Sequence, residues 1–150
     1  MKRVSNVSVM ESIMNIGSFL RHLGITTEPR VPYPPINICK DFQRISDYNP
    51  QMAINFLCRF YNVVPMKIII DNAMPRGYLA LYEYDRHPYA FLKEAEAYNL
   101  NTLLHEFYHH LTACFNIDQA EFLEEIQAET YATVFIIKMS GGDCHTKSFN

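Results

Sequence analysis

The residues of this chain that could do chemistry concentrate in one stretch, Leu103-Leu104-His105-Glu106-Phe107-Tyr108-His109-His110-Leu111, which contains the pattern H-E-x-x-H. Two histidines four residues apart lie on one face of a helix, one turn above the other, so both imidazoles can reach a single tetrahedral cation. Glu106, next to the first histidine, can project toward a water on that cation and act as a general base, since zinc brings the pKa of such a water down to about 7. The set stands among Leu103, Leu104, Phe107 and Leu111. Ionisable groups are costly among apolar neighbours unless they are paired or metal-bound, so metal binding is the expectation here. His110 has no partner at ligand spacing and is expected at the helix surface or against a ligand.

A catalytic zinc needs a third protein ligand and an open fourth position. Asn116 to Asp118 read as a short turn, and Asp118 with Glu121 has the D-x-x-E form of a helix start, so two helices, about 99 to 115 and 119 to 138, should form an antiparallel hairpin. His109 lies six residues before Phe115 and Glu125 six after Gln119, which places both about 9 Å from the turn and level with one another. Glu125 is therefore the expected third ligand. Glu129, one turn further, falls level with His105 and is placed to accept a hydrogen bond from that imidazole. Ala128 and Ala132 border the same face and let the helices approach, while Glu121 and Glu124 read as solvated charges.

The elements that must hold this hairpin are also legible. Ser8 and Glu11 have capping-box form, and Val9, Ile13, Ile16, Leu20 and Leu23 follow at helical spacing up to Gly24, so a first helix is expected over about 9 to 23. Residues 28 to 37 carry four prolines and read as an extended connector. Asn49-Pro50 offers an N-cap followed by proline at the first helical position, and Met52, Ala53, Phe56, Leu57 and Phe60 give the buried face of a second helix. The β-branched run Lys67 to Ile70, then Tyr78 to Tyr84 and Tyr89 to Leu92, predict a small antiparallel or mixed three-stranded sheet between residues 66 and 93. The fold class is α+β.

With 150 residues and 49% hydrophobic content the chain is expected to form one domain over 1–150, its first helix and connector within 1–48 and a tail at 139–150. A net charge of -3 and the lack of any Lys/Arg run argue against nucleic acid as a partner. Met1-Lys2-Arg3 is followed by a stretch broken by Asn6, Ser8, Glu11, Ser12 and Asn15, not by the continuous apolar run of a signal peptide, and nothing approaches membrane-spanning length. Cys39, Cys58, Cys114 and Cys144 form no C-x-x-C pair and read as reduced, with Cys58 and Cys114 as core thiols. A cytoplasmic protein with no membrane contact is expected. Cys144-His145 reads as part of a loose tail.

Strands followed by TLLHEFYHHL and then EEIQAETYA resemble the ImmA/IrrE-type metallopeptidases, in which an HExxH helix precedes one bearing E-x-x-A-x-x-F-A; Glu125 to Ala132 fit that pattern with Tyr131 in the aromatic place. The resemblance covers about residues 50 to 138. It implies a zincin-like fold of the gluzincin type, Zn2+ held by His105, His109 and Glu125, and Glu106 as catalytic base. The broader gluzincin E-x-x-x-D pattern implies that Glu129, in place of Asp, supports a ligand. It also implies a protein or peptide substrate, such as a regulatory protein. The expected reaction is peptide-bond hydrolysis by a zinc-activated water, with Glu106 passing its proton to the leaving amine. Tyr108, Tyr131, Arg86 and His87 are candidates to stabilise the oxyanion, and the strand at about 88 to 92 could hold substrate by edge pairing. Two alternatives stand beside this reading: a non-catalytic zinc-binding regulatory or interaction protein that keeps the fold, and a SprT-like site with His145 as third ligand.

Overall fold

The computed structural model describes residues 2–24 and 26–141, and for residue 2 and residues 4–14 it describes the backbone. Cys144 and His145, with the SprT-like alternative that needs His145, lie outside the described residues, as do the side chains of the Ser8-Glu11 capping box. Among the described residues the order is β1 (Lys2–Asn6), α1 (Val7–His22), α2 (Ile36–Tyr48), α3 (Pro50–Tyr61), β2 (Lys67–Ile70), β3 (Tyr78–Glu83), β4 (Tyr89–Leu92), α4 (Glu94–Ala97), α5 (Leu100–Cys114) and α6 (Glu121–Met139). The α+β class expected from the sequence holds.

The three strands expected between residues 66 and 93 are present, and β1 adds a fourth in the order β1-β3-β4-β2. The sheet is mixed: β1 and β4 flank β3 antiparallel, whereas β2 runs parallel to β4. This order corrects one expectation. The strand at 89–92 is internal, so it has no free edge for an incoming peptide; the turn of Asp71 to Gly77 carries β3 to the far side of β4 instead.

Helix α3 begins as its sequence dictates, with the Asn49 side chain accepting from the Met52 amide at 3.1 Å and Pro50 opening the first turn. It ends at Asn62, whose φ of 56° is in the left-handed region asparagine tolerates. An additional helix, α2, separates the proline-rich connector from Asn49 and packs Cys39 and Phe42 into the core. Phe42 meets Phe135 of α6 edge to face, at 5.1 Å between ring centroids. No helix among the described residues is long and apolar enough to cross a membrane.

Helix α5 is the centre of the molecule. Every residue from Thr102 to Thr112 is buried, with the sheet on one side through Tyr82 and α6 on the other. Asn99 caps its start by accepting from the amides of Asn101 and Thr102, and Thr102 is fastened to α4 through Glu96 at 2.7 Å. After Cys114 the chain reverses at Asn116, φ 54°, with the Ile117 amide returned to the carbonyl of Thr112. The α5–α6 connection, residues 115–120, is six residues long, against the three expected, because both helices end short of the turn. The second helix does not use the Asp118 start signal: the N-cap is Ala120, whose carbonyl accepts from Leu123 and Glu124.

Candidate metal centre

The hairpin brings His105, His109 and Glu125 together in the interior, with ligand atoms within 4.8 Å of one another. The two Nε2 atoms are 3.1 Å apart. Glu125 reaches both, Oε2 at 2.9 Å from Nε2 of His105 and Oε1 at 3.0 Å from Nε2 of His109. These are the positions the helical count predicts.

A tetrahedral ion with bonds of about 2.1 Å separates its donors by roughly 3.4 Å, so this set would open by only a few tenths of an ångström to take one. The donor chemistry, two imidazoles and a carboxylate, also suits zinc's open catalytic type of site. The residues could hold a metal ion.

The other nitrogen of each imidazole is also engaged. His105 Nδ1 lies 2.5 Å from Oε1 of Glu129, as expected from the level count. His109 Nδ1 lies 2.6 Å from Oε2 of Glu124. With Nδ1–H donating to a carboxylate, the neutral imidazole is fixed as the tautomer whose Nε2 lone pair faces the shared point. Glu124 is thus no solvated charge: it is buried, between His109 and Arg3 of β1, whose Nε donates to the same Oε2 at 3.0 Å. Residue 124 lies one position, about 100°, around the helix from Glu125, on the side that β1 covers, and that cover comes from residues too distant for a local sequence signal. Glu121 is exposed and 3.4 Å from Nη1 of Arg3.

Burial disfavours a charged imidazole, but Glu125 and Glu129, helped by the nearby charge of Glu106, outweigh it and hold His105 up to about 10. Burial opposes the charge of His109 likewise, and Glu125 and Glu124 overcome it to hold that residue up to about 9. Burial alone would raise Glu125; the two histidines instead hold it far below the carboxylate range. The metal-free cluster is therefore an imidazolium–carboxylate network. Glu106 is fully buried beside it.

Several expected helpers are committed elsewhere. The Tyr108 hydroxyl donates to Oε1 of Gln127 at 2.9 Å and accepts from the amide of Arg30 at 3.1 Å, which joins the connector to the hairpin. Tyr131 stacks on Tyr33 and shares a 2.8 Å hydrogen bond with the hydroxyl of Tyr61. Arg86 and His87 line a cleft at the β2–β4 side, with Gln51 and Met66. His110, expected near the helix surface, is buried, with Nε2 2.7 Å from the Val64 carbonyl and Nδ1 2.9 Å from the Tyr82 hydroxyl. It ties α5 to the sheet. Cys58 is a core thiol as expected, and Cys114 is half-buried against His110 at 3.5 Å.

Glu129 also lines a cleft, a space of about 260 Å³ between α1 and α6 that Gly17, Arg21 and Thr130 share. No family model, curated protein or solved structure matches the chain.

Proposed function

We propose that this protein is a zinc-dependent metallopeptidase of gluzincin type, similar to the ImmA/IrrE enzymes, that hydrolyses peptide bonds in a protein substrate. The observation that carries the proposal is the paired support of the two histidines: each turns Nε2 to Glu125 and Nδ1 to its own carboxylate, Glu129 or Glu124. An ordinary core histidine needs one partner; two histidines with four such bonds between two helices make a ligand set oriented from behind.

His105, His109 and Glu125 would hold the zinc, which supplies a Lewis acid that acidifies water and polarises a carbonyl. Glu106 takes the proton from the attacking water as its oxygen bonds to the peptide carbonyl carbon, and gives that proton to the amine as the C–N bond breaks. Glu124 and Glu129 keep both imidazoles in the ligating tautomer throughout.

A second reading, a zinc protein that binds partners without cleaving them, has one observation in its favour: His105, Glu106, His109 and Glu125 are at most 4% exposed. Two measurements separate the readings. Metal analysis should find one zinc per chain in wild type and loss of it in His109→Ala and Glu125→Ala; a wild type that binds no zinc overturns the centre itself. Incubation with a peptide library should then give cleavage by wild type and none by zinc-loaded Glu106→Gln, whereas cleavage that survives in Glu106→Gln removes the assigned base.

A further inference from the structure

Strand β3 is the sheet element that meets the metal helix. The Tyr82 ring lies 6.4 Å from the ring of His109, and the Tyr82 hydroxyl bonds His110. On its inner side β3 pairs with β4; along its outer side runs β1, antiparallel, from Lys2 opposite Glu83 to Asn6 opposite Tyr78. Directly opposed residues of an antiparallel pair face the same way, so Arg3, opposite Tyr82, turns toward the helices. Its guanidinium lands on Glu124 at 3.0 Å and Glu121 at 3.4 Å. One oxygen of Glu124 thus touches both Arg3 and His109.

An extended segment paired with a sheet edge is how a peptide is held by strand addition, and here one of its side chains lies on the carboxylate that supports His109 from behind. In this case the segment belongs to the chain itself. Its pairing is one ladder on one side, five residues long, with a register shift between Ser5 and Asn6, and the β3-β4-β2 sheet does not depend on it for its own pairing.

We propose that the outer edge of β3 is the peptide-binding edge of the enzyme, that β1 is its intramolecular occupant, and that the substrate is an extended peptide presenting a basic side chain opposite Tyr82. This deepens the peptidase reading and rests on it. Glu121 and Glu124 would receive the basic group of the substrate as they receive Arg3. Since a tethered strand competes at high effective concentration, an untethered peptide gains entry only as β1 leaves.

The register gives a way to lock the strand. Val4 stands opposite Leu81, and opposed Cα atoms in an antiparallel pair are spaced about 4.5 to 5.5 Å, within disulfide range, so V4C with L81C can be oxidised to hold β1 in place. The probe is a fluorescent peptide with the sequence of residues 2–7, measured by anisotropy on zinc-loaded full-length chain that carries E106Q so that the peptide is not consumed. The reduced double variant should bind it, the oxidised one at least tenfold more weakly, and a peptide with Glu in place of the Arg at least tenfold more weakly to both. Equal binding by the oxidised and reduced forms overturns the proposal. Should the disulfide not form, amide exchange of residues 2–6 serves: it should accelerate when the peptide is added, and unchanged exchange overturns the proposal. Lock-sensitive binding without cleavage in the Glu106 chain leaves the edge assignment standing and removes the peptidase reading; cleavage of a protein substrate at equal rates by locked and unlocked Glu106 chains does the reverse.

Discussion

Glu124 sets a carboxylate oxygen 2.6 Å from Nδ1 of His109, the counterpart of the 2.5 Å contact between Glu129 and His105. Both imidazoles are therefore aligned from behind. Replacing either carboxylate by alanine is expected to weaken zinc binding by about 10- to 100-fold while leaving the three ligands intact. Glu121→Ala, on an exposed neighbour, should leave zinc affinity unchanged. Competition against a chromophoric chelator reads all three variants, and equal affinities for Glu124→Ala and wild type would remove Glu124 from the centre.

Protons and metal compete for the same nitrogens. With His105 held up to about 10 and His109 up to about 9 by their carboxylates, both carry protons at neutral pH in the metal-free chain, and zinc must displace them. Zinc affinity should rise with pH, by up to about a hundredfold per pH unit between pH 6 and 8, where two protons leave. Calorimetry in buffers of different ionisation enthalpy counts them; a value near zero would contradict the imidazolium network.

The same shifts shape the stability of the metal-free chain. Each histidine is raised from an ordinary 6.5, so its contribution is full below about 6.5 and is lost as pH rises through about 9 and then about 10. Glu125 is lowered from an ordinary 4.5, so its contribution is present above about 4.5 and is lost as pH falls toward its depressed folded value. Thermal melts of the metal-free protein should show greatest stability between about pH 4.5 and 6.5, with a decline on both sides that on the alkaline side continues to about pH 10. Saturating zinc, at about a thousand times its Kd, should add about 4 kcal/mol and carry that range further to the alkaline side.

Tyr108 serves the fold. Phenylalanine there strands the Arg30 amide and removes one bond to Gln127, at a cost of about 1 to 2 kcal/mol in chemical denaturation. Zinc content and cleavage should stay at wild-type levels, and a loss of cleavage at unchanged zinc content would return Tyr108 to the reaction.

Asn49→Ala tests the scaffold alone. It removes the acceptor for the Met52 amide at the start of α3 and should cost about 1 kcal/mol with no effect on zinc. The denaturation midpoint reports it.

The parts legible in the sequence are those governed by short-range geometry. H-E-x-x-H places two histidines on one helical face whatever surrounds it, and the six-residue connection 115–120 is short enough for counting along two helices to bring Glu125 and Glu129 to the right histidines. The parts that were not legible depend on distant chain. Nothing local says that Arg3, 121 residues before Glu124, will cover that side of α6 and keep its carboxylate dry. His110 looks unpartnered in its own helix, since its partners are Val64 and Tyr82. The sheet order escaped for the same reason: three strands in succession suggest a meander, whereas β2 runs parallel to β4 and leaves β3 to meet β1.

These separations along the chain also bear on the order of assembly. The ligand contacts span at most 20 residues, all within one helical hairpin, whereas the contact of Arg3 with Glu124 spans 121. Closing a short loop costs less chain entropy than closing a long one, and locally connected structure forms faster. The three donors can therefore come together early in folding, before the first strand docks. On the proposed zinc reading, the metal would then enter first and β1 would seal the centre afterwards, so ion loading would not require a finished molecule to reopen.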